Sequence, residues 1–294
     1  MLKINEVKYF KSILFIPVLP LLMSCQKKSE SVSTGTNAND KWELVWQDEF
    51  NVDGMPDNTK WGYEEGMVRN NEPQYYTVGR YQNAHVANGN LFITAIKEPF
   101  VNRFYQRGSA AWNTKDSLAG YTSASLITKN KQKFRYGRME VLAKMPKGAG
   151  TWPAIWLLGN NIDTVSWPAC GEIDMVEYLG KDPGSAYSTI HFNNGSGNYA
   201  NLSGAKYNIQ PFPYDGYHLY ALEWYADRID FFYDSTKYYS ADLSLTGNAA
   251  TFNKDFYLLM NFALGSVSNW GGPVDDASLP ANYLIDYIRV YRAK

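Results

Sequence analysis

Cys170-Gly171-Glu172-Ile173-Asp174-Met175-Val176-Glu177-Tyr178-Leu179-Gly180 sets three carboxylates in an otherwise apolar run bracketed by glycines. Acidic groups are costly to seat in an apolar strand unless they find partners or do chemistry. The spacing, Glu-x-Asp-x-x-Glu, fits no regular element. In a straight strand Glu172 and Asp174 share one face and Glu177 points to the other. On a helix Glu172 and Glu177 lie about 140° apart, which is no single face. One β-bulge between Asp174 and Glu177 returns all three to the same side. The stretch therefore reads as a bulged strand with an acidic face; an ordinary strand with scattered surface acids is the competing reading.

The surrounding chain is written in strand patterns. Asn88-Gly89 in Val86–Ala95 is a hairpin turn signal between apolar runs. Tyr121–Thr128 reads as one short strand. Between Phe134 and Met145, Met139, Val141, Ala143 and Met145 alternate with Arg138, Glu140, Leu142 and Lys144, a period of two. Tyr217–Tyr225 and Arg228–Tyr233 are joined by a tight turn at Ala226-Asp227, and Phe256–Leu264 and Tyr283–Tyr291 complete the set. No long 3.6-residue apolar period occurs in the body of the chain. Short strands punctuated by Gly, Asn and Asp indicate an all-β fold, a β-sandwich or jelly roll of two packed antiparallel sheets. Such a sandwich offers a concave cleft in which a polymer can lie across several strands.

The amino terminus reads as an address. Lys3, Lys8 and Lys11 precede an apolar run, Ser12–Met23, that is short and broken by Pro17 and Pro20. That pattern suits a signal peptide better than a membrane span. Leu22-Met23-Ser24-Cys25 resembles a bacterial lipobox, implying cleavage before Cys25 and lipidation of its thiol. Residues 1–24 are thus expected to be a lipoprotein signal peptide and 25–40, rich in Lys, Ser, Thr, Gly and Asn, a flexible tether. Residues 41–294 are long enough for one domain with a substantial core. The expected location is that of an exported bacterial lipoprotein, at the outer membrane or cell surface, touching membrane through the anchor only. With Cys25 acylated, Cys170 has no disulfide partner and reads as a small packed residue. A formal net charge of −1 gives no reason to expect nucleic acid as a partner. Aromatic residues make up 16% of the chain, with 23 Tyr and 9 Trp, enough both to fill a core and to stack on sugar rings.

Further motifs surround the acidic stretch. Gly150-Thr-Trp-Pro-Ala-Ile-Trp-Leu-Leu-Gly159 and Trp167-Pro168 come before it, and Ser188-Thr-Ile-His-Phe192 after it. Arg69-Asn-Asn-Glu-Pro-Gln-Tyr-Tyr-Thr77, Tyr136-Gly-Arg-Met-Glu140, Trp46-Gln-Asp-Glu-Phe50 and Ile285-Asp-Tyr-Ile-Arg-Val-Tyr291 complete the pattern. In this order the chain resembles glycoside hydrolase family 16, specifically its laminarinase-like endo-β-1,3-glucanases and their mixed-linkage relatives.

The resemblance implies a jelly roll and retaining hydrolysis of β-1,3 or mixed β-1,3-1,4 glucans. In that scheme Glu172 is the nucleophile, Glu177 the acid/base and Asp174 an assisting carboxylate. Retention needs two carboxyl groups about 5–5.5 Å apart. A bulge lets Glu172 and Glu177 approach that spacing on one face. Trp156 and Trp167 match tryptophans of the sugar cleft. Trp152, four residues from Trp156, shares its face in a strand. His191 matches a cleft histidine that can bond a sugar hydroxyl or a carboxylate; Asn70 and Arg69 match polar residues of an early loop, and Trp270 is a further stacking candidate. No cofactor is implied for catalysis. Similar enzymes often carry one structural calcium, for which Glu49, the Gly89 carbonyl and Asp286 are the matching oxygens; ordinary surface acids explain the same residues equally well. A monomer acting on a polysaccharide or oligosaccharide is the expected state. Three alternatives stay open: a hydrolase of another polysaccharide, a transglycosylase, and a non-catalytic β-glucan-binding protein, the last disfavoured because all three acids are present.

Overall fold

The structure is a computed structural model that describes residues 41–294. The expected signal peptide and tether, with Cys25, fall outside the described residues. Nearly all regular structure among those described is β, with three short 3-10 turns at Leu243–Thr246, Ala249–Phe252 and Asp276–Ser278.

Two sheets pack face to face. The larger contains β1 (Trp42–Asp48), β3 (Gln74–Tyr76), β4 (Ala84–Ala87), β5 (Asn90–Val101), β6 (Leu118–Ser123) and β8 (Gly137–Lys144). It also takes β13 (His218–Trp224), β14 (Arg228–Tyr233), β15 (Thr236–Asp242) and β17 (Ala281–Ala293). The smaller sheet runs in the order β12 (Tyr199–Lys206), β11 (Ala186–Asn193), β10 (Glu172–Glu177), β9 (Thr151–Gly159), β16 (Phe256–Leu264), β7 (Ser125–Ile127), β2 (Gly62–Tyr63). The acidic stretch is thus β10, near the middle of the smaller sheet.

The core lies between the sheets. On β8 the expected alternation is present: Met139, Val141 and Ala143 are buried while Arg138, Glu140 and Leu142 are half-buried on the outer face. The Asn88-Gly89 turn joins β4 to β5 with both residues in left-handed conformation, as a two-residue hairpin loop requires. The strand expected over Tyr121–Thr128 is instead two. The chain leaves the larger sheet at Ser123 and enters the smaller at Ser125, so β6 and β7 belong to different layers. Ala124, fully buried, is the corner between them.

On β9 and β16 every residue is buried, yet the two faces remain distinct. Ile155 and Leu157 enter the main core, whereas Ala154, Trp156 and Leu158 pack on the opposite face with Tyr257 and Leu259. That opposite face is the floor of the groove described next.

Candidate active site

The ladder of β10 carries the expected irregularity. Against β11, Glu172 pairs with His191 and Asp174 with Thr189, but Glu177 pairs with Tyr187, and the register shifts between Asp174 and Glu177. Against β9 the shift falls between Asp174 and Val176. One extra residue sits on β10, a β-bulge. Its effect shows in the packing. Ile173, Met175 and Val176 all enter the core between the sheets, while Glu172, Asp174 and Glu177 all line the groove. An unbulged strand cannot send both Met175 and Val176 inward.

The groove has two halves that meet at these acids. Over β9, β10 and β16 it is lined by Arg69, Asn70, Glu72, Trp152, Trp156 and Asn261. Over β10, β11 and β12 it is lined by Tyr187, His191, Tyr199, Asn201, Tyr207 and Trp270. Asn70, Glu172, Glu177, Trp152 and Trp167 belong to both.

Burial sets the acid–base character. All three carboxyls have raised pKa values, with loss of water the largest cause in each. Glu172 is pushed up to about 8, next by the Asp174 charge and against the pull of His191, Arg69 and a Trp167 hydrogen bond. Asp174, 3% exposed, is pushed up to about 7. Glu177 is raised well above the usual carboxylate range, with Asp174 and Glu172 adding to the burial effect. The Trp152 Nε1–H donates to Glu177 Oε1 at 3.1 Å. All three carboxyls therefore resist ionisation: Glu177, flanked by two acidic groups, is placed to hold a proton, and Glu172, drawn by His191 and Arg69, to carry charge. Such an arrangement suits one carboxyl for attack and another for proton donation.

The early loop reaches the groove through strained backbone. Asn70 and Asn71 are both left-handed, a conformation asparagine tolerates better than most residues. Beside them Glu72 is buried and accepts hydrogen bonds from Asn70 Nδ2 (3.1 Å), Gln74 Nε2 (2.8 Å) and the Tyr76 hydroxyl (3.2 Å). Arg69 is ion-paired to Glu64 and lies over the Trp156 ring at 4.8 Å. Trp156 is only 6% exposed and donates its indole N–H to Asn261 Oδ1 at 2.7 Å. Trp156 thus lines the groove, as expected of a cleft tryptophan, with one face covered by Arg69. Trp152 is also buried, whereas Trp167 and Trp270 are 47% and 42% exposed.

Trp270 has a defined place. Asn269 Nδ2 donates to the Asn70 carbonyl at 3.1 Å, tying its loop to the early loop. Asn269 Oδ1 accepts from the backbone N–H groups of Ser266 and Gly271. Trp270 then meets Trp152 edge-on at 5.8 Å and Tyr187 at 5.0 Å between ring centroids.

Several site residues escape a reading of the sequence. Asn261, the only polar side chain in the nine residues of β16, is the one with a local signal. Tyr187, Tyr199, Asn201 and Tyr207 have none, since their place depends on how β11 and β12 pair. Cys170 is buried and unpaired by any disulfide, and burial pushes its thiol up to about 11, so it stays an inert packed residue.

Among the described residues, Glu172, Asp174 and His191 form a tight acid–imidazole group, and they are the reacting cluster itself. At the suggested calcium position, Arg289 grips both Glu49 carboxylate oxygens, at 2.7 and 2.9 Å. The Glu49 carboxylate is therefore engaged, and a calcium ion there would be held by the carbonyls of Glu49 and Gly89, by Asp286 and by water.

Comparison with known proteins agrees with this geometry. Residues 71–288 match the family model described as glycosyl hydrolases family 16. A β-glucanase of Rhodothermus marinus is 38% identical over 273 residues, spanning 88% of this chain and 89% of the relative. The X-ray structure of the laminarinase from Rhodothermus marinus superposes with a TM-score of 0.72 at 37% identity, covering 86% of this chain and 98% of the other. A structure from work on endo-acting O-glycanases, expressed by prominent members of the human gut microbiota to initiate mucin breakdown, superposes with a TM-score of 0.78. It shares 39% identity and covers 86% of this chain and 91% of the other.

Proposed function

The chain belongs to glycosyl hydrolase family 16, and on that footing we propose that it is an endo-β-glucanase cutting internal β-1,3 or mixed β-1,3-1,4 linkages with retention. The observation that carries this reading is the bulged β10, which brings a proton-holding Glu177 and an ionisable Glu172 to one face in the middle of an open groove. Groove on both sides of the acids suits a chain that continues past the cut in both directions.

The steps follow from the side chains. A glucan lies across the strands with one glycosidic bond over β10. A Glu172 oxygen bonds to the anomeric carbon as the bond to the leaving oxygen breaks, and that oxygen takes the Glu177 proton. Water then gives a proton to Glu177, attacks the same carbon and releases Glu172. Two inversions give net retention. Asp174, buried beside them, adds a charge that helps to hold the proton on Glu177.

The likeness to an O-glycanase structure supports a second reading, cleavage within mucin-type chains. The groove speaks to the charge of the substrate. Among the described residues lining either half, Arg69 is the one Lys or Arg, and Glu64 already neutralises it. Nothing there offsets the sulfate or sialate groups of a strongly anionic glycan, so the favoured substrate is uncharged. Incubation with laminarin, lichenan, cellulose and mucin O-glycans, followed by product sizing, tests this. Internal cuts in laminarin or lichenan are expected. Cuts confined to mucin chains would establish the second reading, and cleavage of none would leave a binding protein.

A further inference from the structure

We propose that Tyr199, steadied by Asn201, is a positioning residue that fixes which ring nitrogen of His191 carries the proton and so turns an N–H toward Asp174. The proposal deepens the hydrolase reading and rests on it.

Glu172 on β10, His191 on β11 and Asn201 on β12 are direct cross-strand neighbours. Tyr199 lies two residues from Asn201, on the same face. Asn201 Nδ2 donates to the Tyr199 hydroxyl oxygen at 3.2 Å. That hydroxyl lies 2.9 Å from His191 Nδ1. On the far side of the ring, Nε2 stands 3.1 Å from Asp174 Oδ2 and 3.9 Å from Glu172 Oε1.

Donor and acceptor accounting sets the direction. An amide NH₂ only donates, so the Tyr199 oxygen accepts from Asn201. That oxygen keeps a second lone pair, so the need of the buried Asp174 Oδ2 for the Nε2 hydrogen is what turns the Tyr199 hydrogen to Nδ1. A neutral imidazole has one donor and one acceptor nitrogen. With Nδ1 accepting, Nε2 carries the hydrogen and faces Asp174. Asp174 Oδ2 is fully buried and has no hydrogen-bond partner of good geometry, with His191 Nε2 standing 3.1 Å away. A buried acceptor left without a donor is costly, so the Nε2–H tautomer answers a need of the catalytic strand. The relay runs from a half-exposed tyrosine on β12 to the acid between nucleophile and acid/base.

A plain stacking role for Tyr199 is the competing explanation, since its ring lies 5.3 Å from that of Trp167. Tyr199→Phe separates the two because it keeps the ring and removes the hydroxyl. The groups that face His191 are Glu172 and Asp174 from β10, Tyr199 and Asn201 from β12 and Trp167 from the preceding loop; the charges of Glu177 and Arg69 also act on the cluster. Losing a donor to the ionised acids favours their protonated forms.

The test has two parts. Long-range ¹H–¹⁵N NMR reads the His191 tautomer without reference to any substrate, the three histidines being assigned through His→Gln variants. Wild type is expected to show a bare Nδ1 and a protonated Nε2, and Tyr199→Phe a mixture. On whichever glycan the wild type cuts, Tyr199→Phe is expected to lower kcat about fivefold with KM little changed and the acid limb moved to higher pH. A protonated Nδ1 in the wild type, or a Tyr199→Phe variant with unchanged tautomer and acid limb, overturns the proposal. Failure of the wild type to cut any glycan defeats the hydrolase reading instead, while the tautomer measurement still judges the relay.

Discussion

Glu177 concentrates the chemical argument in one side chain. It is buried, it takes a hydrogen bond from Trp152, and two other carboxyls stand beside it. Its folded-state pKa lies above its unfolded value. Its contribution to stability is therefore fully present below the unfolded pKa and is lost as pH rises through the folded one. Glu177→Gln removes the ionisation and leaves an acceptor for Trp152. Thermal melts should show the variant matching wild type near pH 4 and exceeding it at pH 8, by roughly 3 °C or more in Tm. Equal Tm values at both pH values would show that Glu177 is not held protonated. The same variant should lose hydrolysis by roughly a thousandfold. In the wild type the acid limb of activity, which reports ionisation of the Glu172–Asp174 pair, should have its midpoint above pH 5, because both pKa values are raised. A midpoint at or below about 4.3, that of a free glutamate, would show no perturbation.

The strand that carries these acids gives a different kind of test. Deleting Met175 removes the extra residue of β10 and leaves Glu-Ile-Asp-Val-Glu, a regular alternation. All three acids stay on the groove face, and Val176 alone fills the inward position. The deletion also removes a fully buried side chain, which costs about 2–4 kcal/mol. The variant should fold with a lowered Tm and hydrolyse well above the level of Glu177→Gln. A folded deletion variant with no more activity than Glu177→Gln would mean that the bulge does more than restore a common face.

The bulge was legible in advance because side-chain alternation is a local property: Glu-x-Asp-x-x-Glu has one economical solution in a strand. The alternation of β8 and the Asn88-Gly89 hairpin were legible for the same reason. The division of Tyr121–Thr128 between two sheets was not, because nothing local marks Ala124 as a corner. Nor was the cover that Arg69 places on Trp156, or the meeting of Tyr199 with His191. The first needs segments far apart in sequence to be set side by side, and the second depends on the pairing register of β11 and β12.

The molecule as built is a two-sheet scaffold whose smaller sheet turns one face to the core and the other to the groove. The conserved logic of composition survives: so many aromatics serve both faces, with Trp61, Trp224 and Phe256 inside and Trp167, Tyr199 and Trp270 at the groove. The larger sheet, far from the acids, is laced by ion pairs such as Arg138 with Glu140 and Glu223. Its half-exposed pairs, such as Lys97 with Asp276, contribute little each. Delivery to a membrane is a separate proposal, resting on Leu22-Met23-Ser24-Cys25 alone. Cells fed labelled palmitate should label the full-length protein, and Cys25→Ser should abolish both the label and membrane retention while leaving soluble activity intact. Unlabelled wild-type protein would remove the anchor from the picture.

The most direct trial of the catalytic strand is capture of its covalent intermediate. A 2-deoxy-2-fluoro glucan oligosaccharide with a good leaving group forms the glycosyl ester quickly and releases it slowly. Peptide mass spectrometry should then find one sugar adduct, carried by Glu172. An adduct on Asp174 or Glu177 would reassign the roles, and inactivation with no adduct at all would show that the bulged strand does not work by double displacement.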